Sequence, residues 1–196
     1  MRHGEIYIYN SPPASERFDE LVTQLGSSGI SLRDPKSKKV FRCSRVGEQL
    51  PTTKKSIQLH LAEAQWTAFN LYLSATTHLF CTIDKLPSGI VRENYDLSGK
   101  TEAQSQTVIK AVVELFNKRA AKHTAMALVV DRYAQAHLNF HWDDFVLGEV
   151  TEREEWPMFM GFSKNFAKLQ CLPATHLQTD YGDYILFNAP NDGLQI

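Results

Sequence analysis

The chain has 196 residues, 43% of them hydrophobic, 11% aromatic and 22% charged. That is the composition of a folded domain, and it excludes a disordered tail, a collagen-like chain and a disulfide-stapled miniprotein. Its 21 basic and 22 acidic residues nearly cancel, so the chain as a whole is not an electrostatic nucleic-acid binder.

At this length about 70% of the unfolded surface becomes buried, so stability requires neither a staple nor a metal. Cys43, Cys81 and Cys171 are far apart and odd in number, which argues against a disulfide framework or a thiolate zinc site. No run approaches the ~20 apolar residues of a membrane span. The stretch Met1–Asn10 is too short and polar for a signal peptide. Together these features place the chain in the cytoplasm, with no membrane partner.

Ile6, Tyr7, Ile8 and Tyr9 form an almost continuous apolar run, which predicts a buried strand. Ser11-Pro12-Pro13 breaks it, and Phe18, Leu21, Val22 and Leu25 then mark one face of a helix ending at Gly26. Residues 33–55 carry eight basic side chains against Asp34 and Glu48, a local net charge of +6. They read as a basic hairpin turning near Asp34-Pro35-Lys36. Such a segment is either a solvated face or a contact for phosphates or an acidic protein.

From Ile57 to Asp84 the odd positions are apolar at Ile57, Leu59, Leu61, then Phe69, Leu71, Leu73, then Leu79, Cys81 and Ile83. This period of two predicts three half-buried strands, although Trp66, Phe69 and Leu73 also fit a helix. Thr101-x-x-Gln104 has capping-box form and opens a helix with Val108, Ile109, Val112, Leu115 and Phe116 on one face. Ala125–Val130 reads as a buried strand and His137–Leu147 as an alternating one. Phe159, Phe162, Phe166 and Leu169 have helical spacing, and Tyr184–Phe187 is a last strand. Trp66, Trp142 and Trp156 read as core or core-rim residues. The order of elements predicts a single α+β domain over residues 1–196, mainly an antiparallel sheet with two or three packed helices.

Three groups of residues could carry function. Ser98-Gly99-Lys100-Thr101 precedes the strongest helix, where backbone N–H groups and a lysine could hold phosphates. Asp131 ends the run Met126–Val130 and resembles the magnesium-organising aspartate of P-loop nucleotide hydrolases. The pattern is incomplete, because the loop's first glycine would fall at Asn94 and the preceding Ile90-Val91-Arg92-Glu93 is short and charged. A turn and helix cap built by Gly99 and Thr101 explain the same residues.

The second group is His137, His141 and Asp143, which could ligate a metal for hydrolysis, though spacing fixes no third strong ligand. The third is acidic. Asp143, Asp144, Glu149, Glu152, Glu154 and Glu155 against Arg153 give a net charge of −5, running into Trp156-Pro157-Met158-Phe159-Met160. Carboxylates beside aromatic and methionine side chains suit the rim and anchor of a protein interface.

The balance of these signals is against an enzyme and against a cofactor. It favours a non-catalytic domain that occludes a basic protein through Asp143, Asp144, Glu149, Glu152, Glu154, Glu155 and Trp156. In general character the chain resembles the small, soluble α+β immunity proteins that neutralise bacterial toxins: neutral overall, one domain, an acidic patch. The likeness is one of type and rests on no shared motif. An exposed aromatic edge would serve equally to pair two copies. The alternatives are a phosphate- or nucleotide-handling protein using Gly99, Lys100, Thr101 and Asp131, and a metal-dependent hydrolase.

Overall fold

The computed structural model describes residues 4–131, 142–147, 149, 156–157, 159–166 and 174–189. Among the described residues ten antiparallel strands form one sheet with four helices, an α+β fold. In chain order the strands are β1 (Glu5–Asn10), β2 (Val40–Cys43), β3 (Gln49–Thr52), β4 (Trp66–Tyr72), β5 (His78–Lys85), β6 (Val91–Asp96), β7 (Ala125–Asp131), β8 (Phe159–Ser163), β9 (Leu177–Asp180) and β10 (Tyr184–Asn188). Across the sheet they lie β3-β2-β4-β5-β6-β1-β7-β8-β10-β9. The helices are α1 (Ala14–Ser27), α2 (Lys54–Glu63), α3 (Glu102–Ala120) and α4 (Trp142–Leu147).

β1 takes a central place because it is apolar on both faces. Successive strand side chains point to opposite sides, so Ile6 and Ile8 enter one core while Tyr9, with Tyr7 at its edge, enters another. The larger core lies under α1, α2 and α3, where Phe18, Leu21 and Leu25 of α1 meet Val112, Leu115 and Phe116 of α3. The smaller one is built from Ala127, Val129, Met160, Phe162, Ile185 and Phe187 and is closed by Trp142, Phe145 and Val146 of α4. Trp142 is buried, while Trp66 and Trp156 are half-buried.

The larger core also contains a charge. Arg119 of α3 is fully buried and donates to Glu93 of β6 at 2.8 Å, to Glu20 of α1 at 3.1 Å, and to the Asn10 side chain and the Arg17 carbonyl at 3.3 Å. Tyr95 donates to the other Glu93 oxygen at 2.8 Å. Burial works against the Arg119 charge, but Glu93, Tyr95 and Glu20 together outweigh it and keep the guanidinium protonated. Burial, with Glu93 adding to it, holds the Tyr95 phenol and Cys81 thiol neutral.

Five expectations are corrected. Ile57–Leu61 belongs to helix α2, whose N-cap Thr53 accepts from the Ser56 N–H. Ile57 and Leu61 face the core one turn apart while Leu59 stands 56% exposed, so the apparent period of two was two buried residues plus one solvent-facing leucine. Phe159–Ser163 is strand β8 rather than a helix, and Gly161 shows why. A Cβ there would stand 2.6 Å from Phe116 Cε1, so α3 can approach β8 only over a glycine.

The expected alternating strand over His137–Leu147 is helix α4 from Trp142 on, and its residues 137–141 lie outside those described. The hairpin of the basic segment turns at Ser44–Glu48. Asp34 instead caps its own loop, accepting from the N–H groups of Lys36 and Ser37. Gly26 lies inside α1, and Gly29, with φ +81°, supplies the positive dihedral just beyond it. Among the described residues no helix is long and apolar enough to cross a membrane.

Candidate protein-binding surface

Helix α4 begins Trp142-Asp143-Asp144-Phe145, and a helical repeat divides these side chains by direction. Trp142, Phe145 and Val146 occupy positions i, i+3 and i+4 and turn into the smaller core. The Phe145 ring stands edge-on to Trp142 at 6.4 Å, Trp156 at 5.2 Å and Phe162 at 6.2 Å. Asp143 meets the polar half of the same sheet face. Tyr9 donates to Asp143 Oδ1 at 2.8 Å, and Arg92 donates to Oδ2. Arg92 also donates to Asp84 on β5 at 3.0 Å, so one guanidinium ties α4 to two strands.

Burial and the Asp143 carboxylate both raise the Tyr9 pKa, keeping the phenol a neutral donor. The Arg92 charge is opposed by burial but reinforced by Asp143 and then Asp84. Tyr7 donates to Glu5, and its pKa is likewise raised, first by burial.

Asp143 is therefore an internal anchor, and Trp156 packs on Phe145. Asp144 and Glu149 remain the outward-facing acids: Asp144 is half-buried, Glu149 is exposed, and neither side chain has a partner among the described residues. Phe159 and Phe162 are interior. Glu152, Glu154 and Glu155 of the same acidic run lie outside the described residues.

The phosphate candidates are brought to one end of the sheet. β6 and β7 both run antiparallel to β1, which lies between them, so they are parallel to each other and α3 is their crossover. The loop 97–101 follows β6, and Asp131 ends β7, two strand spacings or about 10 Å along the sheet. They address opposite faces, however. α3 covers the larger core, while Asp131 sits on the α4 side, accepting from the Trp142 indole N–H at 3.3 Å.

Within the loop Gly99 has φ +71°, Lys100 Nζ folds back to donate to the Ser98 carbonyl at 2.9 Å, and burial lowers its pKa. Thr101 accepts from the Gln104 N–H at 3.3 Å, and Gln104 accepts from the Thr101 N–H at 2.9 Å, a complete capping box. The preceding strand is also better embedded than its charged sequence suggests, because Glu93 is the buried partner of Arg119.

Of the metal candidates only Asp143 is described, and its oxygens are engaged as above; His137 and His141 lie outside the described residues. Among the described residues no group of three or more His, Cys, Asp or Glu side chains could hold an ion. No protein-family model matches the chain, and no curated protein or solved structure matches it.

Two outcomes test these assignments. Thr101→Ala is expected to cost about 1 kcal/mol in urea unfolding and Lys100→Ala less than about 0.5 kcal/mol; magnesium-dependent nucleotide binding that Lys100→Ala abolishes would contradict the cap assignment. Asp143→Ala is expected to cost about 1.5–3 kcal/mol, the range for hydrogen bonds to a charged group. Hydrogen exchange should then accelerate at the amides of Trp142–Leu147 while α3 stays protected; unchanged exchange in α4 would contradict the anchoring role.

Proposed function

We propose that this is a non-catalytic protein-binding domain, acting in the cytoplasm, that receives a basic partner on the acidic stretch opened by α4. The observation that carries the reading is the division between two adjacent aspartates. Asp143 locks the helix to β1 and β6, and Asp144 beside it is left without a partner among the described residues. An acid presented on a fixed element loses little entropy on binding, and a stretch with net charge −5 steers a basic surface toward it. Occlusion of the partner, in the general manner of toxin-neutralising immunity proteins, is the mechanism this arrangement supports.

A phosphate-handling reading is favoured by one feature, the placement of the 97–101 loop and Asp131 at the same sheet end. It is weaker because Lys100 is turned onto Ser98 and Asp131 onto Trp142.

The test compares affinity capture from native cell extract by the wild-type chain and by Asp144→Lys/Glu149→Lys, followed by association kinetics with the captured protein. One stoichiometric basic protein is expected, with association slowed about tenfold or more by the reversal at low salt and slowed by added salt in the wild type. A partner that associates with both chains at the same rate would overturn the reading.

A further inference from the structure

At the β3 edge of the sheet, on the face away from α4, the outer side of α2 and the edge strand β3 enclose a groove of about 250 Å³. Its walls are unlike an ordinary solvated surface. Leu59 on α2 is 56% exposed and Leu50 on β3 is 37% exposed, facing the same groove from opposite sides. Val46, at the tip of the β2–β3 turn, is 83% exposed. Between the leucines lie Arg42 and His60, with Arg42 Nη1 donating to His60 Nε2 at 3.0 Å. Because a guanidinium can only donate, this bond places the imidazole proton on Nδ1. Burial and Arg42 both lower the His60 pKa, so the ring stays neutral and leaves the local positive charge to Arg42.

The groove's own lining carries Arg42 and Glu63, and the segment 33–55 that supplies its β2–β3 wall has a net charge of +6. Lys38, Lys39, Lys55, Arg42 and Arg45 have no carboxylate partner among the described residues, whereas Lys54 pairs with Asp19 and the Lys36 charge acts on Asp34. Arg45 lies over the Trp66 ring at 5.7 Å, which adds an aromatic surface beside the cations. Asp34 is committed to its own loop, leaving Glu48 and Glu63 as the nearby acids in the segment and groove.

We propose that the groove between α2 and β3 is a second docking site, taking an acidic protein segment that carries leucine-like side chains. The apolar side chain of the segment sits between Leu50 and Leu59, and a carboxylate meets Arg42. Charge complementarity selects the acidic character of the occupant. The two exposed leucines select a polypeptide over a nucleic acid, whose phosphates would gain nothing from them. This site is separate from the acidic stretch at α4 and engages a partner of opposite sign.

The test is fluorescence anisotropy on the full chain with three labelled probes: a short Glu/Asp peptide carrying two leucines, the same peptide with alanines instead, and an oligothymidylate of equal charge. The leucine peptide is expected to bind best, and Leu59→Ser to weaken it about tenfold or more. Leu59 is solvent-exposed, so this variant keeps the fold, which circular dichroism checks. Asp144→Lys/Glu149→Lys should leave the peptide affinity unchanged, which separates this proposal from the function proposed above.

Equal or tighter binding of the oligothymidylate, or indifference to Leu59→Ser, would overturn the proposal in favour of a phosphate-binding face. Absence of binding by the leucine peptide would also overturn it. Sedimentation at rising concentration settles the remaining occupant. Self-association that Leu59→Ser abolishes would put a second copy in the groove and overturn the proposal as well.

Discussion

A guanidinium with no access to water must be neutralised where it sits, and the position of Arg119 shows how much of this molecule depends on doing so. Glu93 supplies the opposite charge from β6, Glu20 adds a second carboxylate from α1, and Asn10 at the end of β1 supplies an amide oxygen. Each acceptor comes from a different element, so the pair is satisfied only when α1 and α3 lie in register on the middle of the sheet. A buried ion pair is a poor source of net stability, yet breaking one side of it is costly. Its effect here is therefore on specificity: alternative placements of α3 leave a charge stranded among Tyr95, Cys81 and the aliphatic core.

The opposite face of the sheet repeats the device at a wetter site. Arg92, on the same strand as Glu93 but pointing the other way, joins Asp84 and Asp143 and fastens α4. Adjacent residues of β6 thus clamp a helix on each side, which follows from the alternation of a strand. Because Asp143 is used for this, the outward-facing acids described in this stretch are those beyond it, Asp144 and Glu149. α4 lies over the middle strands, with Asp144 and Glu149 beyond its anchor, whereas the basic segment forms the β3 edge of the ten-stranded sheet.

Much of the fold was legible because its signals were redundant. The capping box of Thr101 and Gln104 and the apolar run of β1 each agree with their burial. The period of two fails at α2 because one of its three apolar residues faces solvent. Leu59 completed a false alternation, and its solvent-facing position also makes it the clearest mark of the α2–β3 groove. Gly161 within an aromatic helical pattern was a usable warning, since glycine disfavours a helix interior and here admits Phe116. Asp143 read as a surface acid because its two partners, Tyr9 and Arg92, are remote in sequence. Glu93 and Arg119 were hidden in the same way, and no local pattern distinguishes a charge that will be buried from one that will be solvated.

The central claim is that the Arg119–Glu93 pair specifies how the helices sit on the sheet, and a double-mutant cycle measures it directly. Arg119→Met should destabilise the chain by about 3–5 kcal/mol in urea unfolding, because Glu93 is left buried and unpaired. Adding Glu93→Leu to that variant should restore a large part of the loss, since no charge then remains stranded. If Arg119→Met alone stays within about 0.5 kcal/mol of the wild type, the pair does not organise the fold and the account is wrong at its foundation.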